Sequence, residues 1–179
     1  MICTIEEFLN VKPYAFAATS GGFDPIHKGH VKCLVQTANL GLPVAVIVND
    51  NDFLLKKKGF YFMDLEERMF IINSICGVKY VIPWHSEDGT VIECLRIIKP
   101  FIFTKGGDRT DKENIPEWNI CKRIGCKVIT GVGGDKEQSS SELVKMSGAI
   151  LGGSLKNDMY YRRIFKCKTL CLCGHFWGF

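Results

Sequence analysis

The chain has 179 residues, 46% of them hydrophobic and 23% charged, with a formal net charge of +4. That length suits one domain with a small appendage, and no apolar run approaches the roughly 18 residues that span a bilayer. Five basic residues (Lys156, Arg162, Arg163, Lys166, Lys168) against Asp158 account for the whole +4, so 1–151 is formally neutral, which argues against a general nucleic-acid binder.

The N-terminus, Met1 to Glu7, lacks the basic start and long apolar core of a signal peptide. It reads as a short helix, with Thr4 and Glu7 at capping-box spacing. A cytoplasmic protein is expected, in which the scattered cysteines among the nine are reduced, buried thiols. Tyr14–Thr19 reads as a strand. Ser20-Gly21-Gly22-Phe23-Asp24-Pro25-Ile26-His27-Lys28-Gly29-His30 follows it and leads into a helical pattern near Lys28–Asn39, marked by Val31, Leu34, Val35 and Ala38. A strand, a glycine turn and a helix N-terminus make an anion site, because free N–H groups and the helix dipole point at the ligand. His27 and His30 lie three residues apart at that helix start. Both can donate hydrogen bonds into one pocket, which suits a polyphosphate on which charge is building.

Pro43–Val48 reads as the second strand. Lys56-Lys57-Lys58-Gly59 is placed on a loop, where composition alone makes it a solvated run. A helix over Leu65–Cys76 is well marked: Asp64 can cap it, Glu67 completes the box, and Leu65, Met69, Ile72 and Cys76 share a face. On that helix, Arg68 beside Glu66 and Glu67 could be a surface ion-pair partner, worth little. Tyr80–Ile82, Phe101–Thr104 and Lys127–Thr130 are further strands, and Val91–Ile98 and Glu117–Ile124 further helices, the latter with Pro116 at its first position. Gly106-Gly107-Asp108 directly follows a strand, where glycines let backbone approach a ligand. Ser139, Ser140 and Ser141 stand at a helix start and would cap it with or without a ligand. Strand and helix alternate throughout, which predicts an α/β fold: a Rossmann-like parallel sheet with helices on both faces. Ligands of such sheets bind beyond the carboxyl ends of the strands, at the switch point. The organisation expected is a domain over 1–151 and a basic tail over 152–179, rich in cysteine and aromatic residues. The tail's Cys167, Cys171, Cys173 and His175 do not follow a usual zinc spacing, and no metal site is assigned to them.

The ordered matches across the chain resemble the cytidylyltransferase-like branch of the HxGH nucleotidyltransferases. They are Gly21 to His30, Val48-Asn49-Asp50, Lys56 to Gly59, Glu66-Glu67-Arg68-Met69, Gly77 to Ile82, Lys99-Pro100, Lys105-Gly106-Gly107-Asp108 and Ser139-Ser140-Ser141. The resemblance runs from about Tyr14 to Val144. It is greatest to the adenylyltransferase domain of ADP-heptose synthesis, and the chain is also similar to glycerol-3-phosphate cytidylyltransferases. It implies transfer of a nucleotidyl group from a nucleoside triphosphate to a phosphorylated acceptor, with release of pyrophosphate. It further implies that His27, His30 and Lys58 are catalytic and that Lys56 and Arg68 face substrate phosphates. Gly21, Gly22, Phe23, Asp24, Gly29, Gly106, Gly107, Asp108, Ser139, Ser140 and Ser141 would bind the nucleotide. Magnesium carried mainly by the triphosphate and a homodimer are implied as well.

Overall likeness favours ATP and a sugar 1-phosphate such as heptose 1-phosphate. A CTP-dependent enzyme for glycerol or another alditol phosphate is a second reading, and a nicotinate or nicotinamide mononucleotide adenylyltransferase a third. Relatives of the third kind follow the late serines with an arginine, whereas the neighbours here are Lys136, Glu142 and Lys145. A nucleotide-binding regulatory module of weak activity is a reading of a different class.

Overall fold

The computed structural model describes residues 1–107, 115–134 and 139–150. Five parallel strands form one sheet: β1 (Ala17–Gly21), β2 (Val44–Asn49), β3 (Val78–Trp84), β4 (Ile102–Gly106) and β5 (Lys127–Val132), in the order β3-β2-β1-β4-β5. The helices are α1 (Ile5–Val11), α2 (Lys28–Ala38), α3 (Asn51–Lys58), α4 (Leu65–Asn73), α5 (Ile92–Ile98), α6 (Trp118–Arg123) and α7 (Ser140–Ile150). The chain winds outward from β1 in one direction, then returns to β1's other edge with β4. The expected Rossmann-like parallel sheet is therefore the observed one.

β2 shows why a central parallel strand reads as an unbroken apolar run. All six of its residues are buried. Val44, Val46 and Val48 face one side, where Leu34 of α2 and Met69 and Ile72 of α4 complete a core with Phe23 and Val81. Ala45 and Ile47 face the other, against Phe8 of α1, Leu95 and Ile98 of α5, and Ile120 and Cys121 of α6. Each such large apolar side chain contributes roughly 1.5–3 kcal/mol on burial. Phe8 meets Phe16 and Tyr80 edge to face at ring distances of 5.1 and 5.0 Å, which seats α1 on the sheet.

Local signals set the helix starts. Thr4 and Glu7 form the reciprocal capping box expected for α1. The Asp50 side chain caps α3 at Phe53 N–H, and Asp64 caps α4 at Glu67 N–H. Two expectations are corrected. The three lysines are not on a loop but form the last turn of α3, which ends at Gly59 with φ +80°. Pro116 precedes Glu117, the residue before the first helical turn, so it is not the first helical residue of α6.

The chain divides into two compact units, Met1–Leu143 and Val144–Phe179. Of the second, only the continuation of α7 to Ile150 is described. Asp108, Lys136 and the Cys167, Cys171, Cys173 and His175 cluster lie outside the described residues. Of the other cysteines, Cys3, Cys94, Cys121 and Cys126 are buried free thiols, while Cys33 is half-buried and Cys76 exposed. Among the described residues no helix is long and apolar enough to cross a membrane.

Candidate active site

A cavity of about 470 Å³ opens beyond the carboxyl ends of β1 and β4, where the winding direction of the sheet reverses. The size suits a nucleotide-sized ligand, and the position is the one open α/β sheets use. Its lining comes from the β1–α2 loop (Gly21, Gly22, Phe23, His27, Gly29, His30), from Gly106 and Gly107 after β4, and from Ser139, Ser140 and Ser141 at the start of α7. Most of the expected nucleotide-binding residues are thus brought together from three separate parts of the chain.

The loop is built around the two imidazoles. Phe23 holds a left-handed backbone, φ 51°, which is rare for a bulky residue, and the Asp24–Pro25 peptide is cis. Phe23 is buried and meets the His30 ring edge-on at 5.1 Å. The His27 and His30 rings stack at 3.8 Å. His27 is also the N-cap of α2, its Nδ1 accepting the Gly29 N–H at 3.1 Å. That bond places the ring proton on Nε2, so His27 presents a donor while capping its helix. Gly29 leaves room for this arrangement: a Cβ there would lie 3.0 Å from His27 Cε1 and 3.1 Å from Nδ1, tight enough to push the ring aside. On the far wall, Ser139 Oγ accepts the Glu142 N–H and Glu142 Oε2 accepts the Ser139 N–H. Ser140 Oγ donates to Pro25 O at 3.0 Å and ties the start of α7 to the histidine loop.

Burial lowers both histidine pKa values. That of His27 falls by desolvation; that of His30 falls to about 3, by desolvation first and then by the neighbouring His27 and Lys58 charges. Both imidazoles are neutral near pH 7 and act as dipolar donors. Because the unfolded chain takes up the His30 proton near 6.5 while the folded chain refuses it until about 3, stability is full above 6.5 and falls as pH drops through that window. The loss is at most about 1.4 kcal/mol per pH unit. Melting curves between pH 7 and pH 4 should therefore show wild type losing more stability than His30→Gln; parallel losses would refute this role of His30.

Four expected site residues do not line the cavity. Arg68 is wholly buried at 0% exposure. Its Nε donates to Met63 O and Asp64 O, one terminal nitrogen to Gly22 O at 2.8 Å and Asn49 O at 2.6 Å, and the other to Asn51 Oδ1 at 2.7 Å. It braces the glycine loop from beneath and is neither the expected phosphate ligand nor a surface ion-pair partner. Asp24, 2% exposed, accepts the Phe62 and Met63 N–H groups and the Lys58 ammonium at 2.7 Å. Lys58 also donates to Asp24 O. Asp24 is therefore a loop anchor, and Lys58 is held against it. Lys56 reaches outward to Glu87 O. Of the three adjacent lysines, it is Lys57, over the Phe53 ring at 5.3 Å, that lines the cavity. Successive helical residues are turned by about 100°, so three adjacent lysines on α3 cannot share one direction.

Sequence reasoning also did not assign Asn49, Lys105 and Glu117 to the site, and all three line it. Three buried polar atoms have no hydrogen-bond partner among the described residues: His30 Nδ1, Asn49 Oδ1 and Glu117 Oε2. Each belongs to a cavity-lining residue. Native folds rarely leave such groups bare, and all three residues line one cavity.

Residues 18–145 match the family model described as "Cytidylyltransferase-like". The chain is 38% identical over 112 residues to the bifunctional protein HldE of Hahella chejuensis, covering 62% of this chain and 23% of that protein. It is 36% identical over 122 residues to HldE of a Nitratiruptor strain, covering 67% and 26%. The chain thus spans about a quarter of the length of these curated relatives. A lipopolysaccharide core biosynthesis protein from Thermoplasma volcanium shares the fold, with a TM-score of 0.55 at 24% identity over 65% of this chain and 94% of that one. A pantothenate synthetase from Thermus thermophilus shares it with a TM-score of 0.57 at 14% identity, over 79% and 66%.

Proposed function

This chain belongs to the cytidylyltransferase-like family, and from that premise we propose that it transfers a nucleotidyl group, AMP from ATP, to a sugar phosphate such as heptose 1-phosphate. A phosphate oxygen of the acceptor attacks the α-phosphorus in line, the bond to the bridging oxygen breaks, and pyrophosphate leaves. The observation that carries the reading is the convergence of unpartnered buried polar atoms on the cavity that the histidine loop encloses. No side-chain nucleophile is required, because phosphoryl-type transfer depends on positioning and charge stabilisation.

His27 and His30, neutral and stacked, donate to phosphate oxygens as negative charge grows on the leaving group. Backbone N–H groups of Gly21 and Gly22 and the start of α2 hold the polyphosphate. Lys57 supplies a positive charge at the cavity wall and offsets repulsion between two anionic substrates. Lys58, Asp24 and Arg68 act through the loop they brace. Magnesium fits as cargo of the triphosphate, since among the described lining residues Glu117 is the one carboxylate and its Oε1 is bonded to Lys105. When bound, the ion offsets phosphate charge. Likeness to the adenylyltransferase domain of ADP-heptose synthesis supports ATP, the sugar 1-phosphate and a homodimer.

Pyrophosphate release, measured with magnesium from ATP and CTP separately against heptose 1-phosphate, glycerol 3-phosphate and nicotinamide mononucleotide, tests the reading. Release from ATP with heptose 1-phosphate is expected. Release from another pair would move the assignment to that base and acceptor. Nucleotide binding with no release across the panel would favour a regulatory module.

A further inference from the structure

The buried ion pair at the cavity's edge has a function left over. Glu117 is 4% exposed and Lys105 6% exposed, and they pair at 3.1 Å through Oε1. Lys105 also donates to Ser20 Oγ at 3.1 Å and lies over the Phe103 ring at 4.8 Å. Both side chains of the pair line the cavity, yet Glu117 Oε2 has no partner among the described residues. A desolvated carboxylate oxygen left bare is costly, and the ion pair needs only one oxygen. The second is buried and bare, and a donor that reached it from the cavity side would satisfy it.

Resting on the nucleotidyl-transfer reading, we propose that Glu117 is a hydroxyl-selecting residue, its Oε2 accepting a hydrogen bond from a ligand hydroxyl beside the phosphate groups. Phosphate oxygens carry no donor and are repelled by a carboxylate, so they are not its partners. The substrates' donors are hydroxyls and the exocyclic amine of the base. Ser20 adjoins Gly21 of the phosphate loop, and Lys105 joins Ser20 to Glu117 through two hydrogen bonds. Glu117 is thereby placed close to where phosphate is held. In a nucleotide the groups within a few bonds of phosphate are the ribose hydroxyls, and in a sugar phosphate the ring hydroxyls; the base amine is at the far end. Lys105 neutralises Glu117, so the carboxylate can stand near polyphosphate without expelling it.

The hydroxyl can come from the ribose or from the acceptor, and Glu117→Gln separates them. The amide keeps an oxygen for Lys105 but replaces the free acceptor with a donor. Calorimetric binding would compare ATP, 2′-deoxy-ATP and 3′-deoxy-ATP with magnesium, and heptose 1-phosphate against inorganic phosphate, on wild type and variant. Wild type should prefer the hydroxyl-bearing ligand of one set by on the order of tenfold or more, as for a hydrogen bond to a charged group. The variant should lose that preference, whatever its absolute affinity for the hydroxyl-free analogue. Collapse of the ATP to deoxy-ATP ratio assigns the ribose; collapse of the heptose 1-phosphate to phosphate ratio assigns the acceptor. Ratios equal in wild type and variant, or no preference in wild type whether or not the variant folds, overturn the proposal and leave nucleotide binding intact. Absence of any triphosphate binding to wild type overturns the nucleotidyl-transfer reading itself, and this proposal with it.

Discussion

Replacing His30 by alanine is expected to lower kcat on the order of 10²-fold or more, the loss seen when a preorganised donor to developing negative charge is removed, with the melting temperature at pH 7 retained. The same loss of turnover is expected for His27, but the substitution must respect its second task. His27 Nδ1 caps α2 through the Gly29 N–H, and alanine there would cost about 1 kcal/mol of helix stability. Asparagine is a good N-cap and cannot reach as imidazole does. His27→Asn should therefore keep the fold and lose turnover, which separates the cap from the donor. Steady-state pyrophosphate release alongside thermal melting reads both quantities. Wild-type-like turnover in both His30→Ala and His27→Asn would sink the assignment.

Arg68→Met, on α4 beneath the loop, is expected to be strongly destabilising. The guanidinium satisfies the carbonyls of Gly22, Asn49 and Met63 in a site without solvent. Methionine fills much of the volume and donates nothing, so buried acceptors are stranded at about 1–3 kcal/mol each. A total of roughly 3–5 kcal/mol is expected, in line with other broken buried charge networks. For a chain of this size that corresponds to a fall in Tm on the order of 10 °C. Arg68→Lys should be intermediate, because a flexible ammonium cannot reproduce a planar fork. A Tm for Arg68→Met within a few degrees of wild type, with turnover abolished, would refute the brace and restore direct contact with phosphate.

The sheet was legible because β-strands buried on both faces announce themselves as short apolar runs, and all five were located with ends displaced by a few residues. The histidine loop was legible because its backbone chemistry is local: strand, glycines and helix start are contiguous. α3 was not. Its apolar residues, Phe53, Leu54 and Leu55, are adjacent rather than spaced at a helical period, only Leu54 is buried, and three lysines follow. Its best signal was Asp50, whose side chain caps Phe53 N–H. The role of Arg68 depended on the carbonyls of Gly22 and Asn49, 46 and 19 residues away, and no local pattern reports such a partner. Lys105 and Glu117 are 12 residues apart. Nothing in either segment says that both are buried, so the pair became visible only once β4 and α6 were packed.

The placement of β1 has a consequence for how this site comes into being. β1 lies in the middle of the sheet and pairs with β4 across a long stretch of chain, Thr19 bonding to Thr104 85 residues away. Parallel pairing over such separations must close a large loop before it gains any contact, which slows folding. The cavity lies beyond the carboxyl ends of those strands, and its far wall is tied on last in sequence, where Ser140 meets Pro25, 115 residues apart. Ligand binding should accordingly be the final property to return on refolding, arriving after helical signal has recovered, and a nascent chain should gain it only when α7 has emerged.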